Sequence, residues 1–228
     1  MSLFKKSVLF YSLLPTICLA DGLAIDKVYH PYVQPLEREI EWRMIESDGE
    51  QIHRLGFGKS VSKDLFLELY VIGNENQTGD IKPEAYELEA KWQLSEQGEY
   101  RFDWGLLTEL EHQYHDNNWE LATTLLMEKE LGRWSVASNF GLAYEWGDNR
   151  HAELESDLRL QTRYRLSPLI EPALELYANQ DTRAVGPVLL GDLRFAAGKK
   201  LHWEMGILAG LDSATPDKTW RFLAEFEF

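Results

Sequence analysis

Residues 86–94 read YELEAKWQL and show the repeating pattern of this chain most clearly. Apolar residues occupy every second position, beginning with Tyr86 and Leu88, whereas Glu87, Glu89 and the later intervening residues are charged or polar. A period of two places the two sets of side chains on opposite faces of a β-strand. The stretch therefore predicts a strand with one apolar and one polar face.

The same alternation recurs from residue 36 to residue 228. Clusters of Gly, Asn, Asp, Pro and Ser interrupt it at regular intervals, as turns between strands would. We predict about twelve strands, with ten or fourteen as alternatives, because the glycine-rich stretches 56–58 and 186–191 are ambiguous. The predicted strands are 36–45, 52–61, 65–72, 86–94, 100–110, 119–127, 134–146, 154–164, 170–178, 185–195, 201–211 and 220–228.

The first twenty residues have the layout of a secretory signal peptide. Two lysines precede the apolar run 8–19, which is too short to span a bilayer as a helix, and Cys18 and Ala20 are small residues at a cleavage site. Ile17 is too bulky for Cys18 to be a lipoprotein site. We predict a signal peptide at 1–20, an extended leader at 21–35, which contains two prolines and no periodicity, and a barrel at 36–228.

Charge and cysteine content narrow the function classes. Removal of Lys5 and Lys6 with the signal peptide changes the formal charge from −15 to −17, which argues against a nucleic-acid partner. Cys18 is the single cysteine, so the mature chain cannot form disulfides. We expect no cofactor.

A soluble β-sandwich or lipocalin-like barrel also has alternating strands. Three features favour a transmembrane barrel instead: no helical stretch is evident, one face is charged in strand after strand, and aromatic residues such as Trp134 and Trp146 lie at strand ends, where lipid headgroups would meet them. Only a closed sheet leaves no unpaired backbone edge in lipid. We therefore predict an all-β, antiparallel, up-and-down transmembrane barrel.

The connections are predicted to alternate between tight turns, as at 131–133, and longer polar loops, as at 73–83. Short periplasmic turns and long extracellular loops are typical of outer-membrane barrels. Both chain termini are then expected on the periplasmic side.

The last nine residues, WRFLAEFEF, alternate aromatic side chains and end in phenylalanine. This strand resembles the terminal signature of bacterial, porin-like outer-membrane β-barrel proteins, without indicating a subfamily. In that family the terminal strand is recognised by the barrel-assembly machinery. The resemblance implies an outer-membrane location and a monomer, with membrane lipid, the assembly machinery and periplasmic chaperones as partners. The residues that would carry this assembly signal are Trp220, Phe222, Phe226 and Phe228.

Strand parity places the polar face in the lumen, where acidic residues outnumber basic ones. They would either form ion-pair networks that hold water or line a narrow pathway for cations. Both interpretations stay open at this stage. The predicted lumen-lining residues are Glu87, Glu89, Lys91, Arg101, Asp103, Glu145, Asp157, Arg159, Arg163, Glu175, Asp192, Arg194, Glu204 and Arg221.

The function favoured by this pattern is a narrow passive pore for small cationic or neutral solutes. The stiff leader segment 29–32 (YHPY) would constrict it from the periplasmic mouth. A filled barrel with a structural or partner-binding role is the alternative.

Two chemical alternatives carry less weight. A lipid-modifying enzyme would need a serine beside His112, and neither Ser138 nor Ser156 is well placed by parity. A transition-metal site at the rim would draw on His112 and its neighbours, but alternation puts Glu111 and His112 on opposite faces. We therefore predict no catalytic, cofactor or metal residues. The residues at the rim whose side chains could ligate a metal are Glu111, His112, His115, Asp116 and His151.

Overall fold

The computed structural model describes residues 25–75, 79–148 and 151–228. The predicted signal peptide and residues 21–24 of the leader lie outside the described residues. Twelve antiparallel strands close into a barrel in chain order, which confirms the predicted fold class and strand count. The strands are β1 (Arg38–Ser47), β2 (Glu50–Ser60), β3 (Leu65–Glu75), β4 (Ile81–Gln93), β5 (Asp103–Gln113), β6 (Asn118–Leu131), β7 (Trp134–Gly147), β8 (Glu153–Tyr164), β9 (Glu171–Ala178), β10 (Arg183–Arg194), β11 (Lys200–Gly210) and β12 (Lys218–Glu227).

The first and last strands close the barrel. β12 pairs antiparallel with β1 over a ladder that runs from Glu39 opposite Glu227 to Ser47 opposite Thr219. Residue 38 and residue 228 therefore lie at the same end, which we call the terminal end; the other is the opposite end. Among the described residues, no helix is long and apolar enough to cross a membrane.

The outer surface of the wall is an apolar band. Leu88, Phe140 and Leu174 are 49%, 47% and 55% exposed in the middle of their strands, and many other large apolar side chains share their outward direction. A contiguous apolar surface of this extent is unfavourable in water and favourable against hydrocarbon. The barrel is therefore built to span a membrane.

The predicted contrast in connection length between the two ends is wrong. The longest connection, 94–102, lies at the terminal end, while the opposite end has a two-residue hairpin at Asp48-Gly49. Both hairpin residues have positive φ, as a type I′ turn requires. The backbone ladder also continues past the apolar alternation, since residues 73–75 and 81–83 of the predicted loop 73–83 pair as strand. The periplasmic position of both chain termini therefore stays a prediction.

Candidate functional site: the lumen and its leader

The predicted lumen residues lie on the inner face of the wall, with one exception. Arg101 is exposed in the connection 94–102, with its guanidinium 5.8 Å from the ring centroid of Phe102. The prediction failed there because β5 begins at Asp103, so the alternation at Tyr100 and Phe102 belongs to no strand. Arg194 is exposed at the last position of β10, where it lines the rim of the lumen.

The leader runs inside the barrel. Val28 and Tyr29 are 3% and 4% exposed, although residues 25–35 belong to no strand. The backbone of Tyr29 is held at both polar groups by Asn139 of β7, because its N–H donates to Oδ1 (2.8 Å) and its carbonyl accepts from Nδ2 (2.9 Å). The Tyr29 hydroxyl donates to Glu89 of β4 at 2.7 Å. An amide side chain thus replaces the strand partner that this segment lacks.

Asp26 anchors the leader through both its carboxylate and its backbone carbonyl. Its carboxylate contacts the buried guanidinium of Arg43 and lies 3.6 Å from that of Arg54. Its carbonyl accepts from the Tyr177 hydroxyl at 2.7 Å and also from Arg221. Strands from both halves of the wall therefore converge on one residue of the leader.

The leader is also tied down near the terminal end. His30 Nδ1 lies 2.8 Å from Glu128, and the Tyr32 hydroxyl donates to Asp103 at 2.8 Å. The Val33 N–H donates to Gln93 Oε1 at 2.7 Å. Residues 25–33 are thus fixed along the lumen by successive strands of the wall.

The leader divides the lumen into two polar cavities. The terminal-end cavity has a volume of about 410 Å³ and a mixed set of charges, with Lys91, Arg163 and Lys200 among several carboxylates. The opposite-end cavity has a volume of about 360 Å³ and is strongly acidic. Its charged lining consists of Asp26, Glu84, Glu87, Glu109, Glu111, Asp116, Glu120 and Asp157 against Arg54 and Arg159.

The acidic wall of the opposite-end cavity is built by cross-strand pairs of carboxylates. Glu87 stands opposite Glu111, which stands opposite Glu120. Glu120 in turn stands opposite Glu145. Like charges in directly opposed positions destabilise a sheet. This row of carboxylates therefore lowers the stability of the wall. Sequence reasoning missed Glu120, although its position between Trp119 and Leu121 gives it lumen parity.

Elsewhere the predicted lumen residues form ion pairs. Fully buried Arg221 bridges Glu175 (2.9 Å) and Glu204 (2.7 Å). His202, which parity did not single out, lies 2.8 Å from Asp192 and 3.2 Å from Glu204. Asp157 pairs with Arg159 at 3.0 Å, and Arg163 pairs with Glu171 at 3.4 Å.

The predicted assembly residues all point outward from β12. Phe226 stacks on Phe228 with ring centroids 6.0 Å apart, and Phe222 packs against Trp42 at 5.5 Å. Trp220 is 40% exposed and Phe228 49% exposed. The role of this face in assembly stays a prediction.

The arrangement of side chains at the rim supports neither the lipid-modifying enzyme nor the transition-metal site. His112 stacks on Trp119 at 4.1 Å and has Asn117 as its polar neighbour at 3.3 Å, and no hydrogen bond joins it to a serine in the described parts of the chain. The described residues instead bring together Glu87, Glu89 and Glu109, which are buried in the lumen.

Comparison with solved structures identifies the architecture. A KdgM porin in complex with disordered oligogalacturonate superposes with a TM-score of 0.57 and 14% identity, over 83% of this chain and 98% of that chain. The NanC porin gives 0.57 and 8%, over 84% and 98%. An outer-membrane channel from Pseudomonas putida F1 gives 0.54 and 14%, over 89% and 98%.

The chain has the fold of the outer-membrane porins. With its outward apolar band, this porin fold places the protein in the outer membrane. Identities this low establish the fold alone. No family model matches the sequence of this porin-fold chain, and no curated protein matches it significantly.

Proposed function

We propose that this barrel is a narrow passive pore for small cationic or neutral solutes, with the leader as the element that closes it. The pore is supported by the two polar cavities, which open from the two ends of the barrel and meet at the leader. A lumen packed solid by wall side chains would leave neither cavity.

The charge of the opposite-end cavity supports the preference for cations. Among the described residues, eight carboxylates and two arginines line it, and a low-dielectric wall focuses the field of such an excess along the lumen. The KdgM porin was solved with an oligogalacturonate, which is an anion. We expect the present chain to disfavour such solutes at its acidic end.

The leader is held by contacts that can open one at a time. Near the terminal end it is fixed by hydrogen bonds from Tyr32 and Val33, each of which contributes about 1 kcal/mol net. Asp26 is held more firmly, because breaking a buried ion pair costs several kcal/mol. The conducting state therefore requires the leader to leave its seat at Asp26.

The experiment is single-channel recording in planar bilayers under a KCl gradient. The mature chain, residues 21–228, is compared with a variant lacking residues 21–35. We expect long closures from the mature chain and steady cation-selective steps from the shortened one. Equal conductance from both would show that the leader does not close the pore.

A filled barrel with a structural or partner-binding role is the second candidate. It is favoured by the fully buried charges Glu41 and Arg43 at the centre of the lumen, which the leader covers. Under this reading both chains would be silent in the bilayer. The leader would then serve to recruit a periplasmic partner.

A further inference from the structure

Three carboxylates meet at the boundary between the two cavities. Glu87 and Glu89 share the inner face of β4, and Glu109 of β5 is the direct cross-strand partner of Glu89. One oxygen from each lies within 4.8 Å of the others, and the three residues are 5%, 3% and 7% exposed. Register alone therefore forces three buried acids together.

Two of the three acids accept hydrogen bonds from the protein, and one oxygen of the third accepts none. Glu87 accepts a hydrogen bond from Arg54, and Glu89 accepts one from Tyr29. Glu109 Oε2 is buried and has no hydrogen-bond partner among the described residues. A buried carboxylate oxygen without a donor is costly, so the site lacks a positive group at this point.

The basic residues nearby do not fill this gap. Arg54 is shared between Glu87 and Asp26. Arg159 pairs with Asp157 through Nε at 3.0 Å, and its buried Nη1 donates no hydrogen bond to Glu109. The cross-strand opposition of Glu89 and Glu109 adds like-charge repulsion. An additional cation would remove both penalties at once.

The position of the three acids gives an ion access. Glu87 and Glu109 line the acidic cavity of about 360 Å³, whereas Glu89 lines the terminal-end cavity. An ion that enters from the opposite end meets Glu87 and Glu109 on the wall of this cavity, with Glu89 on the far side of the boundary. The cavity also has room for the water molecules that would complete its coordination shell.

We propose that Glu87, Glu89 and Glu109 bind a divalent cation, with Ca²⁺ as the best fit. All three ligands are carboxylate oxygens, which suit hard cations, and no sulfur or imidazole is present to favour a transition metal. Ca²⁺ binds oxygen at about 2.3–2.6 Å, so two oxygens of one shell lie up to about 5 Å apart. Mg²⁺ demands a tighter octahedron and fits a 4.8 Å spread less well.

The test is calorimetric titration of CaCl₂ into the refolded mature protein in detergent micelles, after treatment with a chelator. We expect saturable binding of one ion per barrel. Glu109→Gln and Glu89→Gln are expected to weaken binding by at least about tenfold, because each removes a charged ligand. Glu84→Gln is the matched control: Glu84 lines the same cavity outside the three-residue site and accepts from Asn74, so its loss should change affinity less than about threefold.

Circular dichroism confirms that each variant is folded before titration. Glu109→Gln removes a buried unpaired charge, so it is expected to fold at least as well as the parent chain. Absence of saturable Ca²⁺ binding by the folded parent chain overturns the proposal. Equal weakening by Glu84→Gln overturns it as well, since Ca²⁺ would then be attracted by the overall negative charge of the cavity and not bound by the three acids. The titration uses no bilayer, so a silent conductance record leaves its outcome unaffected.

Discussion

Arg221 is a buried cation on which several contacts inside the barrel depend. It is fully buried, and it joins Glu175 and Glu204 to the carbonyl of Asp26. Arg221→Met should lower the free energy of unfolding by about 3–5 kcal/mol, because buried Glu175 loses its cation and Glu204 keeps only His202. Urea unfolding of the barrel in lipid vesicles measures the change.

Arg183→Met is the control for this substitution. The Arg183 side chain is 62% exposed, and its guanidinium lies 3.9 Å from Asp212, so its loss should cost less than about 1 kcal/mol. Equal effects of the two substitutions would contradict the assignment of Arg221 as the buried centre of the network.

Residue parity predicted the inward direction of Glu175 and Arg221 but not their partnership. Direction follows from the period of two, which each strand carries in its own sequence. Which side chains pair depends on the positions of strands that are far apart in the chain. Here it also depends on the leader, whose sequence has no periodicity from which a position could be predicted. For the same reason the opposition of Glu89 and Glu109 emerged only from the folded wall.

The position of the leader can be tested by thiol labelling, because residues 21–228 contain no cysteine. A thiol placed at Val28, which is 3% exposed, should react slowly with a maleimide, and a thiol at the exposed Val61 should react fast. Asp26→Asn should speed the labelling of Val28→Cys by at least about tenfold, since it breaks the pair with Arg43 that seats the leader. Mass spectrometry of timed samples gives the rates. Labelling of Val28→Cys as fast as that of Val61→Cys, without Asp26→Asn, would contradict a seated leader.

The strands were predictable because lipid on one side and polar groups on the other impose a strict alternation. The residues at which the strands begin and end were harder to predict. The ladder of a closed sheet extends wherever backbones are adjacent, as at Lys82 and Asn74, whose polar side chains suggested a loop. At Tyr100 and Phe102 the alternation continues without a paired neighbour, so it predicted strand where a turn forms.

At the scale of the molecule, the sequence predicted an acidic lumen but not its division. Parity assigns a side chain to a face without giving its height, and the leader occupies the middle of the lumen through tertiary contacts alone. The two cavities therefore differ in a way that no count of charges reveals. One mixes both signs, and the other concentrates carboxylates on β4, β5 and β6.

This asymmetry predicts where cation selectivity resides. In the variant lacking residues 21–35, Glu111→Gln combined with Glu120→Gln should lower the permeability ratio of K⁺ over Cl⁻, because both carboxylates face the opposite-end cavity. The reversal potential under a KCl gradient measures the ratio. The effect should shrink between about 0.1 M and 1 M salt, as the Debye length falls from about 10 Å to 3 Å. Glu37→Gln combined with Glu171→Gln, in the mixed terminal-end cavity, should change the ratio less. A larger change from that pair would place the selective step at the terminal end, since lumen fields act over only about a Debye length.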